Sequence, residues 1–322
     1  MLPYLILAVL LFVIELLFFK VADRFNIIDK PNQRSSHTKP VIRGGGMIFV
    51  VAVLIWFVYS GFLWPWFVIA LAAIAFISFA DDIKSQPSLL RFMVHLGAVI
   101  MMFYEVGLFV WPWWLLILVL IVAIGALNTF NFMDGINGIT GMYAQVSLST
   151  FLFIDQKIYD FTEESLVITS LISVVVFLFF NYRKKAKCFA GDVGSISIAF
   201  VQLFLLLQLI FETGNFLWVI MVLVYGVDSV ITILYRLKRK ENIFKPHRTH
   251  LYQYLSNEFK VPHRFVSLVY GLLQLMLNVF LIYFIIGNSF SMVVLIAFLY
   301  VVAYVIIREW LLRKLALSPT GR

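Results

Sequence analysis

Cysteine is nearly absent from this 322-residue chain: Cys188 stands alone, so no disulfide framework holds the fold. Charge is scarce too, at 13% of residues against about 25% in soluble domains, while 62% of residues are hydrophobic. Those proportions exclude an ordinary soluble domain and make the bilayer the solvent. No RNA- or DNA-binding motif, low-complexity tract or clear internal repeat is visible, and no second soluble domain. The first apolar segment lacks a small-residue cleavage site and reads as a retained helix rather than a signal peptide.

What the chain has instead is apolar runs long enough to cross about 30 Å of hydrocarbon. They lie near 3–19, 46–61, 64–80, 90–107, 112–130, 137–154, 165–181, 194–211, 215–235, 265–286 and 289–307. The expected fold is therefore all-α, a polytopic bundle of about eleven transmembrane helices forming a single domain over 1–322. Ten is the alternative, because the connections at Gly61-Phe62-Leu63 and Ile285-Ile286-Gly287-Asn288 are very tight.

Lys and Arg near membrane helices stay on the cytoplasmic side, which tests both count and orientation. With the N-terminus outside and the C-terminus cytoplasmic, 24 of the 25 Lys and Arg residues fall inside, leaving only Lys157 outside. The net charge of +8 is thus a topology signal, and nucleic-acid binding is a poor reading of it. The same topology places the connections near 20–45, 81–91, 128–138, 182–195 and 236–264 together on the inner face.

Carboxylates at helix ends or inside helices are costly in hydrocarbon and need a reason. Asp81-Asp82 closes the third apolar run, and two adjacent carboxylates repel unless a cation lies nearby; the bland alternative is a solvated helix end. In NTFNFMDGINGITG, Asn128, Asn131 and Asp134 fall three apart and follow one stripe, suited to a metal ion with phosphate, or to a ribose. Gly135, Gly138 and Gly141 continue that spacing and read as close helix packing. Asp192, in CFAGDVGS, is placed to cap the eighth helix, and an ionised carboxylate held there also suits a hard cation such as Mg²⁺.

Lys245, His247, Arg248 and His250 in FKPHRTHLYQ gather donors fit for a diphosphate, whereas Arg236, Lys238, Arg239 and Lys240 read as lipid-headgroup attraction. Asp228 lies inside the ninth run, either lining a cavity or hydrogen-bonding between helices. Glu15 is read as paired with another helix or protonated, outside the site. The first inner connection carries Lys30, Asn32, Arg34, His37, Lys39 and Arg43 before a triple glycine that lets backbone approach a ligand.

The ordered set KPNxRSSH, DD, NxxNxxDGxxG, GDxGS and HRxHLYQ, spread over residues 29 to 253, resembles the polyprenyl-phosphate N-acetylhexosamine-1-phosphate transferases, the glycosyltransferase family 4 type. The resemblance implies transfer of a sugar-1-phosphate from a UDP-N-acetylhexosamine to undecaprenyl phosphate, with Mg²⁺ as cofactor and Mn²⁺ as a substitute. It implies metal contacts for Asp192, Asp81 and Asp82. These three, with Asn131 and His250, are the expected catalytic residues. Asn128, Asp134, Asn137, His247, Arg248, Lys39 and Arg43 are the expected substrate contacts.

The branch that handles the peptidoglycan precursor has an acidic residue where this chain has Asn137, and a His-rich motif in place of HRTHLYQ. The form here looks more like O-antigen and capsule initiators. Expected surroundings are the lipids of the bacterial inner membrane, with the active site facing the cytoplasm and a homodimer open as an alternative to the monomer. An ion-coupled secondary transporter using Asp134, Asp192 and Asp228 is the competing class. It requires carboxylates near mid-membrane rather than crowded at one face.

Overall fold

The computed structural model describes residues 2–29, 31, 39–243, 245 and 247–317. The chain forms α1 (Leu2–Arg24), a short hairpin of β1 (Ile28–Asp29) and β2 (Val41–Ile42), then α2 (Met47–Tyr59), α3 (Pro65–Ile83), α4 (Ser88–Val106) and α5 (Trp113–Met133). It continues with α6 (Ile139–Lys157), α7 (Glu164–Asn181), α8 (Gly191–Thr213) and α9 (Leu223–Lys238), the last entered through a 3-10 turn at Phe216–Val222. A single turn, α10 (Leu251–Gln253), runs into a π turn at Tyr254–Glu258 before α11 (His263–Ile286) and α12 (Phe290–Ala316). The protein is an all-α polytopic membrane bundle.

Each of the eleven expected spans coincides with a helix. Among the described residues, nine helical segments are long and apolar enough to cross a membrane. The other two are α2, which has only 13 residues, and α6, which carries Gln145, Ser147 and Thr150 along its length. Those polar groups are tolerated because α6 is packed inside the bundle, where Thr150 meets Asn278 at 2.9 Å.

At the centre stands α8, apolar on all sides and 94% buried over its hydrophobic window, as a helix without a polar face must be. It packs against α2, α3, α5 and α6. Phe67 of α3 stacks on Phe204 of α8 with ring centroids 4.0 Å apart. By contrast α12 is only 11% buried over its window and presents its apolar surface outward.

The triple glycine brings two stretches of the chain's own backbone together. Gly45 and Gly46 donate to the carbonyls of Phe189 and Ala190 at 2.9 and 3.1 Å, so the backbone that comes close is the chain's own. A Cβ on Gly46 would sit 2.3 Å from the Cα of Gly194, which leaves room for nothing larger. The start of α2 is thereby locked to the start of α8. The readings of Gly135, Gly138 and Gly141 as packing glycines agree with the structure, where Cβ atoms would meet Tyr252, Tyr182 and Leu178 at 2.2, 2.3 and 2.5 Å.

Glu15 is buried, and its carboxylate faces the thiol of Cys188 at 3.6 Å.

Candidate functional site

The C-terminal ends of α3, α5 and α9 and the N-terminal ends of α4 and α8 meet at one end of the bundle. Asp81, Asp82, Asn128, Asn131 and Asp192 therefore lie towards helix ends, a rigid platform for chemistry.

Asp82 sits at the heart of that junction with no side-chain exposure. Its Oδ1 accepts the Asp192 backbone N–H at 2.9 Å and its Oδ2 accepts that of Val193 at 3.0 Å. A carboxylate from α3 thus satisfies the free N–H groups that open α8 and complements the positive end of that helix. The expectation that Asp192 caps α8 is corrected: Ala190 holds the capping position without a side-chain bond, and Asp192 lies in the first turn. Relieved of capping, the Asp192 side chain is directed elsewhere.

Two arginines bind the acidic residues together. Arg43 Nε meets Asp82 at 2.6 Å while its Nη2 meets Asp192 Oδ1 at 2.9 Å. Burial disfavours the Arg43 charge, but Asp82 and Asp192 outweigh it and hold the guanidinium above its ordinary value. Arg91, from the first turn of α4, meets Asp81 at 2.8 Å and Asp192 Oδ2 at 3.7 Å. The Gln86 backbone N–H donates to the other Asp81 oxygen at 2.6 Å. Asp81 and Asn131 both lie against the Asp192 carboxylate.

Beside this cluster opens a cavity of 610 Å³, lined in part by Arg43, Arg91, Asn128, Asn131, Asp192 and His250. Lys245 and His247 complete its polar wall, and Phe92, Ile124 and Ile196 give it an apolar one. Burial, with the neighbouring His250 and Arg236, pushes the His247 imidazole down to about 4, so its ring is neutral at ordinary pH. The Tyr252 hydroxyl ties the histidine-bearing segment to the end of α5 by donating to the Phe132 carbonyl at 2.9 Å.

Other expected site residues stand apart from the cavity wall. Asp134 accepts from the Thr140 hydroxyl at 2.6 Å, and burial pushes its carboxyl up to about 7. Asn137 is buried and bridges two elements, donating to the Arg183 carbonyl at 2.9 Å and offering its own carbonyl to Ser267 at 2.7 Å. Arg248 points to Glu258 at 3.6 Å. Lys39 is exposed on the first connection. Lys30, Asn32, Arg34 and His37 lie outside the described residues.

Arg91 and His95 are cavity residues that sequence reading passed over. Arg91 counts there only among the inner positive charges, and nothing singles out His95. Their spacing of four, one helical turn on the same face and just after Asp81-Asp82, was the available signal.

The oxygen donors of Asp81, Asp192 and Asn131 suit a hard cation such as Mg²⁺. Among the described residues, no group of three His, Cys, Asp or Glu side chains closes on one point, and Arg43 and Arg91 supply the positive charge the carboxylates require. Asp82 has no side-chain exposure and gives both oxygens to the backbone N–H groups that open α8, which gives it a positioning job.

Residues 64–210, which carry Asp81, Asp82, Arg91, Asn128, Asn131 and Asp192, match the family described as Glycosyl transferase family 4. The chain is 25% identical over 285 residues to the Bacillus subtilis (strain 168) protein named "Probable undecaprenyl-phosphate N-acetylglucosaminyl 1-phosphate transferase", covering 81% of this chain and 78% of that one. These matches support membership of the polyprenyl-phosphate hexosamine-1-phosphate transferase superfamily. Undecaprenyl-phosphate alpha-N-acetylglucosaminyl 1-phosphate transferases are further relatives of this chain. That of Yersinia pestis is 26% identical over 264 residues, spanning 72% of this chain and 70% of its own length. That of Escherichia coli (strain K12) is 26% identical over 277 residues, spanning 77% and 74%.

Proposed function

We propose that this protein transfers an N-acetylated hexosamine-1-phosphate from a UDP-sugar to undecaprenyl phosphate, releasing UMP and forming undecaprenyl-diphosphate-sugar. The observation that carries the reading is the cavity in which Arg43, Arg91, Asn131 and Asp192 meet at one end of a membrane bundle. A polyprenyl chain stays in the bilayer and a nucleotide sugar stays in water, so their phosphates can meet only at such an end. The relatives' names support the acceptor and an N-acetylglucosamine donor; N-acetylfucosamine and N-acetylquinovosamine are the 6-deoxy alternatives to be tested beside it. The cytoplasmic face of the bacterial inner membrane, and the first step of O-antigen, capsule or other envelope glycan synthesis, complete the proposal.

In this reading an oxygen of the lipid phosphate attacks the phosphorus that bears the sugar, in line with the departing UMP oxygen. Arg43 and Arg91 hold phosphoryl oxygens through paired N–H donors and keep the two reactants together. Asn128 and Asn131 orient the nucleotide side of the diphosphate, and Lys245 and His247 close over it. Asp192 and Asp81 with Asn131 would hold Mg²⁺, which would supply positive charge against the diphosphate. Asp82 keeps Asp192 in place through the start of α8. One phosphoanhydride replaces another, so the exchange is reversible and needs no ATP.

The test is purified protein in detergent with Mg²⁺, undecaprenyl phosphate and a panel of UDP-sugars, reading UMP release for each. Release that depends on both lipid and Mg²⁺, and is lost in Asp192→Asn while the protein stays folded, supports the assignment. Uptake of substrate by proteoliposomes without UMP formation would falsify it in favour of transport.

A further inference from the structure

His250 lies on a buried polar boundary. It borders the cavity, yet only 2% of the residue is exposed. One ring nitrogen, Nδ1, is 3.0 Å from Asp228 Oδ1. The other, Nε2, is shielded from solvent and has no hydrogen-bond partner among the described residues. A buried polar atom without a partner calls for one that arrives from outside.

Asp228 is itself fully buried in α9, and its partners are donors. The Tyr270 hydroxyl reaches Oδ2 at 2.6 Å, while the Leu251 backbone N–H and the Thr232 hydroxyl reach Oδ1 at 3.2 and 3.4 Å. Arg308 of α12 stands behind, donating to the same Thr232 hydroxyl at 3.0 Å and to the Thr249 carbonyl at 2.8 Å. This is the environment of a carboxylate. The Gln253 backbone N–H is shared between the His250 carbonyl, at 3.1 Å, and the His250 side chain, while the Asp228 carboxylate faces Nδ1 at 3.0 Å. Between a carboxylate oxygen and an imidazole nitrogen the proton belongs on nitrogen, so Nδ1 carries it and Nε2 is left with a lone pair. His247 stacks on the ring at 5.0 Å and Tyr252 at 5.8 Å, so its orientation is fixed from its faces as well.

We propose that Asp228 is a positioning residue that locks the His250 proton on Nδ1 and offers Nε2 to the P–O–H of the acceptor's phosphate monoester. The proton moves from that oxygen to Nε2. The phosphate gains one negative charge, and the imidazolium formed is balanced by Asp228. A phosphate monoester fits because its second proton leaves near pH 6, close to the range of imidazole, whereas the donor diphosphate carries no such proton at neutral pH. The inference rests on the transfer reaction proposed above, but its structural half does not.

The experiment has two arms. In the first, protein with ¹⁵N-labelled histidine is compared with His250→Ala to assign the ring among only five histidines. The expected signal is a neutral ring protonated on Nδ1; a ring protonated on Nε2 overturns the proposal whether or not the protein turns over. In the second arm, UMP release is measured for Asp228→Ala, His250→Ala and the double variant. Each single change is expected to lower kcat at least about 100-fold, and the double variant should lie within about threefold of the singles, because both remove one device. A further independent loss in the double variant makes Asp228 a scaffold residue only.

Should Asp228→Ala fail to fold, Asp228→Asn keeps the shape and removes the charge. It should lower kcat at least about tenfold with a smaller change in KM for the UDP-sugar. An unchanged kcat there overturns the proposal, as does a His250→Ala variant that loses only inhibition by UMP. A wild-type protein that releases no UMP, yet shows the Nδ1-protonated ring, rejects the transfer reading and leaves the positioning contact standing.

Discussion

Asp82 of α3 holds the first turn of α8, its two oxygens 2.9 and 3.0 Å from the backbone nitrogens of Asp192 and Val193. The adjacent Asp81 turns instead to Arg91 at 2.8 Å. Two neighbouring carboxylates that look alike in sequence therefore have separate tasks, because successive side chains on a helix diverge by about 100°.

Asp82→Ala should destabilise the folded protein by roughly 2 to 4 kcal/mol, since it removes the acceptor for two buried N–H groups and the partner of Arg43. Thermal unfolding in detergent checks this. Asp81→Ala, which lacks the capping contact, should cost much less stability while still lowering turnover. Equal losses of stability would contradict the division of labour.

Gly191 has a φ of +72°, and a Cβ there would lie 2.5 Å from Asp82 Oδ2 and 2.9 Å from the Gly44 nitrogen. Gly191→Ala should cost at least about 1 to 2 kcal/mol from the backbone alone, and displace Asp82 as well. Lower folded yield together with reduced Mg²⁺-dependent UMP release is the expected result. Gly125→Ala, in open space on α5, is the silent control.

Arg43 spans Asp82 and Asp192 with two different nitrogens, a reach that one ammonium cannot copy. Arg43→Lys should retain the fold and lose roughly tenfold or more in kcat/KM. Wild-type-like kinetics would remove Arg43 from the phosphate-holding role.

His247 has its imidazole pushed down from an ordinary 6.5 to about 4, first by burial and then by His250 and Arg236. Between those values the unfolded chain binds a proton that the folded protein refuses, so stability is full above about pH 6.5 and falls as pH drops toward 4. His247→Gln should flatten that part of the profile. Comparing unfolding temperatures of the two proteins at pH 7 and pH 5 measures it; identical pH dependence would count against the buried neutral ring.

The proposed orientation can be read with two single cysteines, because the native Cys188 is buried and silent. Lys157→Cys should react with a membrane-impermeant maleimide on intact cells, and Lys185→Cys only after the inner side is opened. The reverse pattern would place the site outside.

Much of this protein was written along the chain. The solvent and the helix count follow from long apolar runs, since a bilayer demands about 20 apolar residues per crossing and leaves little else to decide. Asp81, Asp82, Asn131, Asp192 and His250 were legible as a group because charged and amide side chains at the ends of apolar helices need partners, and their order in the chain matched a family. What no linear reading could supply is which partner each one found. Asp82 became a cap for another helix, Asn137 a brace between α6, α11 and the segment after α7, and Arg248 a partner of Glu258. Arg91 and His95 joined the cavity, and the triple glycine met the start of α8. Those outcomes depend on how helices rotate and approach one another, which is set largely by packing between residues distant in the chain, as Asp82 and Asp192 are at 110 positions apart. Sequence determined the inventory of the site; tertiary packing alone decided the contacts that distribute its charges.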